Sequence, residues 1–563
     1  MREKHAKQLL REEHGSSYKP GGSVKVALVF PNSYYLGMSS LGFQVILDEI
    51  NRHPDASCER VFFSGDESDV IPRSLETQRP LSEFDIIGFS VSFELDYFNV
   101  VKVLFAAKIP LRARDRSLRD PFIIAGGICC SFNPEPLSGF IDVFVIGDGE
   151  ELVCNLISEY QNWRQARYAS RATRYGYGRQ DLFHRLSRIE GVYVPLLYDV
   201  AYKEDGTLSS VCPRAGTKPK VERFSVGDLD RFDTTSKILT PNTEFVSSFL
   251  VEVTRGCAHR CRFCVASYIQ RCTIRSKDRI LKWAQSELAQ RAEKIGLVGS
   301  SVTDHPQIDE IAASLVGMGN RISIASMRAD SVSDALLDAL AASGRETITL
   351  APETASERLK KVIGKNISME IIFEVIRSAL KKGILNVKLY FMIGLPTETQ
   401  EDVDNIVVVV ERARKLMFDS PRPSISVSPR LTVSISPFVP KPHTPFQWCQ
   451  MEDVKTLSRK LQFLRRKLGG IGGVKVPLGS AGWSVIQGVL ARGDRRLVSV
   501  LEEVSTGSKP ARTSWNRALK KNGLSQDFYL QRSRQLDEAF PWDHLDLGIS
   551  KARLVEQFLA IGN

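Results

Sequence analysis

The chain has 563 residues, 43% of them apolar and 25% charged; that is ordinary for a globular protein and too long for one hydrophobic core, so two or three domains are expected. Its longest apolar runs, "LYFMIGL" at 389–395 and "IVVVV" at 406–410, are too short to cross a bilayer, and the charged start "MREKHAKQLLREEH" carries no export signal, so a cytoplasmic protein is expected. The 76 Lys and Arg against 65 Asp and Glu leave a net charge of +11, which attracts polyanions such as RNA without specifying them.

From Val24 the chain reads as strand "VKVALVF", loop "PNSYYLGMSS" and helix "LGFQVILDEINRH". Strand-like "CERVFF" and "FDIIGFSVSF", helix-like "YFNVVKVLFAAKI", strand-like "PFIIAGG", and a strand running into a helix in "IDVFVIGDGEELVCNLISEY" follow. Continuous apolar strands alternating with helices predict a parallel sheet covered on both faces, a doubly wound α/β domain over 20–162. The stretch 163–245 begins basic, with Arg164, Arg167, Arg171 and Arg174 at helical spacing and Tyr168 and Tyr175 interleaved. Such a stripe serves either an RNA backbone or a solvated helix leading to a linker. In "GVYVPLLYDVAYKEDGTLSSVC", the Asp205-Gly206 turn predicts a β-hairpin.

A second αβ series fills 246–446, with strands expected at "SSFLVEV", "KIGLVGS", "RISIASM", "ETITLAP", "NVKLYFMIGLP" and "LTVSISPFVP". Six such repeats predict a partial (β/α)6 barrel with its site at the carboxyl ends of the strands. From 447 to 563 the pattern is mainly helical, with Leu457, Leu461, Leu464 and Leu468 on one stripe.

The chemistry concentrates in "EVTRGCAHRCRFCVASYIQ", where Cys257, Cys261 and Cys264 follow the first barrel strand. Ten cysteines scattered through a chain of this size do not make a disulfide framework, and clustered thiols point to metal. A tetrahedral zinc would need a fourth ligand, for which His259 and Cys272 are candidates. An iron-sulfur cubane would use the three thiolates and leave its fourth iron open to a molecule that is not protein.

C-x3-C-x2-C after the strand that opens a barrel, with Phe263 before the last Cys, resembles the radical S-adenosylmethionine (SAM) superfamily. The resemblance implies a [4Fe-4S] cluster on Cys257, Cys261 and Cys264, SAM chelated at the open iron, and an electron donor such as flavodoxin or ferredoxin. It further implies SAM contacts from Phe263, from Gly299 and Ser300 after the second strand, from Arg328 and Glu353 after the third and fourth, and from Gly394 and Pro396 in "GLPTETQEDV". Many members carry Gly-Gly-Glu after the second strand; this chain has Gly299-Ser300-Ser301, so the glutamate contact to the SAM amino group has no equivalent there.

A doubly wound domain ahead of such a barrel resembles the cobalamin-binding (B12-type, Rossmann-like) subclass. The implied cobalamin contacts are Asn32, Tyr34 and Gly37 after the first strand, Gly126 and Gly127 after the fourth, and Gly147 after the fifth. The cobalt-ligating histidine of many cobalamin domains is missing from Asn32-Ser33-Tyr34-Tyr35-Leu36-Gly37. "VFPNSYYLGMSSLGFQ", "NPEP", "SPFVPKPHTPFQW", "RGDRRL" and "PWDHLDLGIS" look like markers of a radical SAM group with this N-terminal domain. The reading is therefore SAM-cleaving radical chemistry, with cobalamin-dependent methyl transfer to an unknown substrate as its extension. No catalytic side chain is assigned. Two alternatives stand beside it: a tRNA methylthiotransferase with a second cluster drawn from Cys58, Cys129, Cys130 and Cys154, and a zinc-stabilised RNA-binding or scaffold protein. Trp542, Asp543 and His544 are read either as a cover for the barrel mouth or as a packed core pair.

Overall fold

In a computed structural model, residues 3–63, 65, 71–169, 178–419, 428–507 and 510–561 are described; Arg171, Arg174 and Tyr175 of the expected basic stripe lie outside them. The chain packs into two compact units. One comprises 1–247, 489–529 and 535–550; the other comprises 248–488, 530–534 and 551–563.

The first unit is built on β1 Val24–Phe30, β2 Ala56–Phe62, β3 Ile86–Ser90, β4 Phe122–Gly126, β5 Val143–Val145 and β6 Val192–Tyr193, in the order β2-β1-β3-β4-β5-β6. The first five run parallel and β6 antiparallel to β5. The apolar runs of these strands are buried, as a sheet covered on both faces requires. The order reverses between β1 and β3, so the loops after those strands flank a crevice at their carboxyl ends.

The expected hairpin forms from β7 Tyr198–Tyr202 and β8 Leu208–Pro213. Its predicted first strand is cut, however. Pro195 opens a short 3-10 turn, and the residues before it join the main sheet as β6. The basic stripe begins on helix Gly149–Ala169, where Arg164 pairs with Asp85 (3.3 Å) and Arg167 lies over the Trp163 ring (5.8 Å).

Residues 489–529 and 535–550, expected as part of a separate helical region, supply elements to this unit. β9 Val221–Glu222 pairs in parallel with Leu545–Asp546. Glu135 of "NPEP" accepts from Arg495 Nε of "RGDRRL" (2.6 Å) and from the Tyr193 hydroxyl (2.5 Å), and His544 of "PWDHLDLGIS" lies with its Nε2 3.7 Å from the same carboxylate. Asn133 donates to the carbonyls of Ala491 (3.0 Å) and Gly493 (2.8 Å). Three motifs far apart in sequence thus close one buried polar network, and Trp542 and His544 are core residues.

The second unit carries β10 Ser248–Arg255, β11 Thr273–Ile274, β12 Lys294–Gly299 and β13 Ile322–Ile324 in the order β11-β10-β12-β13. It also carries β14 Thr347–Glu353, β15 Asn386–Ile393, β16 Arg430–Pro437 and β17 Val474–Lys475 in sequence order. A parallel bridge between Met327 and Leu350 joins the two sheets into one arc. All six expected barrel strands are present and parallel, and β17 adds a short seventh beside β16. Helix Val454–Gly469 buries Leu457, Leu461, Leu464 and Leu468 as its spacing predicts, capped by Asp453, whose carboxylate accepts from the Lys455 and Thr456 amides (2.8 and 3.0 Å). Among the described residues no helix is long and apolar enough to cross a membrane.

Candidate active site

Cysteines 257, 261 and 264 lie on a loop whose two ends are fastened together. β10 feeds the loop, and β11 returns antiparallel to it, pairing Arg255 with Thr273 and Thr254 with Ile274. Gly256 makes the turn at φ +70°, and a Cβ there would come within 2.6 Å of the Arg271 carbonyl oxygen, so only glycine fits.

The middle of the loop is stapled to helix Glu357–Ile363. The Arg262 backbone amide donates to the Ile363 carbonyl (2.9 Å), and its guanidinium to those of Lys361 (2.6 Å) and Val362 (2.8 Å). The Lys361 carbonyl also accepts from the capping Gly364 amide (3.2 Å), and a cation is favoured at that end of the helix dipole. The marker "SPFVPKPHTPFQW" completes the seat: the Phe446 amide donates to the Arg262 carbonyl (3.2 Å), and Phe438 and Phe446 pack edge to face. Phe263, an expected SAM contact, packs against the cluster formed by these rings with Leu359, Ile363 and Leu395.

Cys261 is buried, with Cys257 and Cys264 half-buried. Burial pushes the Cys261 thiol up to about 11, against the pull of Lys365, and the charges of Cys264 and Cys257 push it further up. Burial also raises Cys257, and Cys264 adds to that rise. His259, the candidate fourth zinc ligand, sits with Nε2 2.7 Å from Asp304 Oδ2, an oxygen that also accepts from the Ser301 hydroxyl (2.5 Å). Cys272 is exposed, next to β11. Among the described residues no three His, Cys, Asp or Glu side chains converge as ligands of one ion. A cubane spreads its thiolates over separate irons, and three free thiols on one fastened loop, with the neighbouring imidazole engaged elsewhere, fit that donor set.

The other expected SAM contacts end barrel strands. Gly299, the last residue of β12, and Ser300 after it are exposed; a Cβ at Gly299 would lie 2.4 Å from Thr254 Oγ1. Arg328 pairs with Asp330 in its own turn (2.8 and 2.9 Å). Glu353 takes φ +64° where the β14–β15 register shifts, and its carboxylate meets Lys365 Nζ at 2.9 Å. A non-glycine residue held left-handed at a barrel strand end is characteristic of a functional site. Gly394 turns at φ +75°, with the Glu398 carboxylate accepting its amide (2.9 Å), and Pro396 follows in the same loop. Lys365 escaped the sequence reading, since a lysine after a helix-ending glycine carries no motif.

In the first unit most expected cobalamin contacts are engaged within the fold. Asn32 donates to Asp96 (2.8 Å), and the Tyr34 hydroxyl to Glu13 (2.5 Å), which also pairs with buried Arg60 (2.7 Å). A Cβ at Gly37 would meet the Phe62 ring at 2.4 Å, at Gly127 the Val91 carbonyl at 2.4 Å, and at Gly147 the Phe224 carbonyl at 2.1 Å; Gly126 has ordinary room. These residues make the loops tight. The side chains left exposed there are others: Tyr35 and Leu36 after β1, Phe93 after β3 and Ile128 after β4. Cys58 lies on β2, Cys129 and Cys130 are adjacent in helix Ile128–Phe132, and Cys154 lies on helix Gly149–Ala169.

Residues 42–195 match the model for radical SAM proteins, N-terminal, and residues 251–409 that for the radical SAM superfamily. The chain is similar to uncharacterized protein MJ0966 of Methanocaldococcus jannaschii, with 29% identity over 514 residues, 90% of this chain and 96% of that one. It is also similar to the uncharacterized methyltransferase PH0819 of Pyrococcus horikoshii, with 24% identity over 314 residues, 53% of this chain and 59% of the relative. Among solved structures, the radical S-adenosylmethionine methyltransferase TsrM from Kitasatospora setae, with cobalamin and [4Fe-4S] cluster bound, aligns over 73% of this chain and 75% of its own at 16% identity and TM-score 0.47. The cobalamin-dependent S-adenosylmethionine radical enzyme OxsB aligns over 90% of this chain and 72% of its own at 13% identity and TM-score 0.42. With a three-thiol loop heading the barrel that the superfamily model covers, the chain belongs to the radical SAM superfamily and is an enzyme.

Proposed function

We propose that the protein is a cobalamin-dependent radical SAM methyltransferase that acts on an unactivated position of its substrate. Reductive cleavage of SAM to a 5′-deoxyadenosyl radical is the chemistry a [4Fe-4S] cluster supplies when bound, and carriage of a methyl group is what cobalamin supplies. The chain's own residues bind, orient and exclude water. Cys257, Cys261 and Cys264 hold the cluster on the fastened loop. Gly299 and Ser300 let SAM approach the end of β12. Glu353 and Arg328 face its charged groups, the Gly394–Pro396 turn supports it, and Phe263 fixes the loop beneath it.

The observation that carries the reading is the three-thiol loop at the carboxyl end of β10, with His259 drawn to Asp304 instead of into the donor set. The cobalamin half rests on Tyr35, Leu36, Phe93 and Ile128, exposed apolar side chains at the carboxyl ends of three neighbouring strands beside the order reversal. That is where such sheets bind ligands, and a flat, largely apolar corrin face suits side chains of this kind. The protein would work in the cytoplasm with a reduced flavodoxin or ferredoxin as donor.

The test is anaerobic reconstitution with iron, sulfide, SAM and dithionite, with and without methylcobalamin. About four irons per chain, with both 5′-deoxyadenosine and S-adenosylhomocysteine formed, is the expected result. About eight irons would favour the methylthiotransferase reading instead, and colourless zinc protein would overturn the enzyme assignment.

A further inference from the structure

Burial alternates along β15: Val387, Leu389, Phe391 and Ile393 are buried, while Lys388, Tyr390 and Met392 between them are half-buried. Its neighbours keep step, with Leu350 of β14 and Leu431, Val433 and Ile435 of β16 buried. Helices Met369–Lys381 and Gln400–Asp419, which join β14 to β15 and β15 to β16, bury apolar residues of their own. Such helices cover the outer face of a β/α arc, so the apolar set meets them and the set with Lys388 faces the lumen. The register gives the lumen rows: Thr349, Lys388 and Thr432 stand side by side, and Tyr390 stands beside Ser434.

Interiors of β/α barrels are filled by layers of branched apolar side chains. These rows carry hydroxyls and an ammonium instead. Lys388 Nζ lies 4.8 Å from the centroid of the Tyr390 ring, the next side chain on that face toward the carboxyl end. Among the described residues no carboxylate pairs with Lys388, and the hydroxyls of Thr349, Tyr390, Thr432 and Ser434 make no internal hydrogen bond. The acids of the neighbouring strands are already met, Glu353 by Lys365 and Glu252 by Arg255 and Arg275. A lysine drawn partly out of water is ordinarily paired. Several donors gathered in a concave space with no partner of their own are what recognition of an anion requires.

We infer that Lys388, with the hydroxyls of Tyr390, Thr432 and Ser434 around it, binds a carboxylate or phosphate group, and that the substrate of the barrel is an anion held by that group. The anion site stands on the lumen geometry; that its occupant is the substrate rests on the function proposed above. A molecule anchored on Lys388 passes the Tyr390 ring on its way to the carboxyl ends of the strands, where the cysteine loop also lies. Charge fixes one end of the substrate, and the ring gives the rest an apolar wall.

The experiment titrates the full-length reconstituted protein, without SAM and with iron counted, with benzoate, phenyl phosphate and the neutral benzamide, and follows binding by ligand-observed NMR. At least one of the two anions should bind, and benzamide should not. Lys388→Gln should weaken that binding about tenfold or more, and Lys388→Arg, which keeps the charge, should retain it. Preference for benzoate assigns a carboxylate substrate, and preference for phenyl phosphate a phosphate ester. Thr432→Glu places an acid beside Lys388 in the register and should abolish binding in the same way, which decides the matter if Lys388→Gln does not fold. Failure of both anions to bind, equal binding of benzamide, or anion binding unchanged in Lys388→Gln and Thr432→Glu overturns the inference. Wild-type protein with about four irons that binds neither anion overturns the inference alone; protein that binds an anion through Lys388 but takes up no iron overturns the radical reading and leaves the anion site standing.

Discussion

Arg262 reaches across from the cysteine loop to donate to the carbonyls of Lys361 and Val362, while its neighbour Cys261 is buried beside it. One side chain thus both caps a helix and fixes the loop that carries the thiols. Charge-assisted hydrogen bonds contribute about 1.5–3 kcal/mol each when partly buried. Arg262→Ala is expected to destabilise the second unit by about 2 kcal/mol and to lower the iron retained per chain after desalting. Lys in its place should recover part of both, since it keeps a donor but not the fork. Wild-type iron content and denaturation midpoint in Arg262→Ala would show that the loop is held elsewhere.

Gly256→Ala probes the neck of the same loop. The new methyl would meet the Arg271 carbonyl at 2.6 Å on backbone at φ +70°. Steric and conformational strain together should cost about 2 kcal/mol or more and open the β10–β11 closure. Faster amide hydrogen exchange at Arg255 and Thr273, with weaker cluster absorbance, is the expected signature.

Acid stability should report on His544. Burial pushes this imidazole down to about 4, with the Glu135 carboxylate opposing and Arg495 reinforcing the fall. Burial works against the charge of Glu135, yet Arg495 and His544 keep that carboxyl below its ordinary range. Below the unfolded value of about 6.5 the unfolded chain binds a proton that the native site refuses, so stability is full above about 6.5 and is lost as pH falls toward 4. The loss attributable to His544 is on the order of 3 kcal/mol. Urea unfolding at pH 7 and pH 4.5 should show a smaller pH difference in His544→Gln than in wild type; equal differences would assign the acid sensitivity to other groups.

Phe93→Asp tests the cobalamin face without touching the barrel. Phe93 is 43% exposed after β3, so the change should not disturb the core. A charge on an apolar docking face should weaken cobalamin retention at least tenfold, read from corrinoid absorbance after gel filtration, with iron content unchanged. Undiminished retention would move the corrinoid off this face.

The barrel was legible because each of its six strands is a run of β-branched and large apolar residues, bounded by breakers and separated by helical periodicity. β17, only Val474–Lys475, offers too short a run to register. The three thiols were legible by their spacing alone. The bond between His259 and Asp304, and that between Glu353 and Lys365, were not, since side-chain pairings across loops leave no period in a sequence. The cobalamin expectation named the glycines and the polar residues of the loops, which the structure uses for tight turns and internal hydrogen bonds. The exposed Tyr35, Leu36, Phe93 and Ile128 were not singled out in the sequence, and it is the sheet order that puts them at neighbouring strand ends. The convergence of Glu135, Arg495 and His544 was equally hidden, because their contact depends on how distant segments return.

That return governs how the protein can be made. Leu545–Asp546 is the partner of Val221–Glu222, and Arg495 of Glu135, so the N-terminal sheet leaves the ribosome lacking groups that are synthesised only after the entire barrel. Its last polar contacts therefore close only once the barrel segment has been synthesised, and until then the nascent chain carries an unfinished front half.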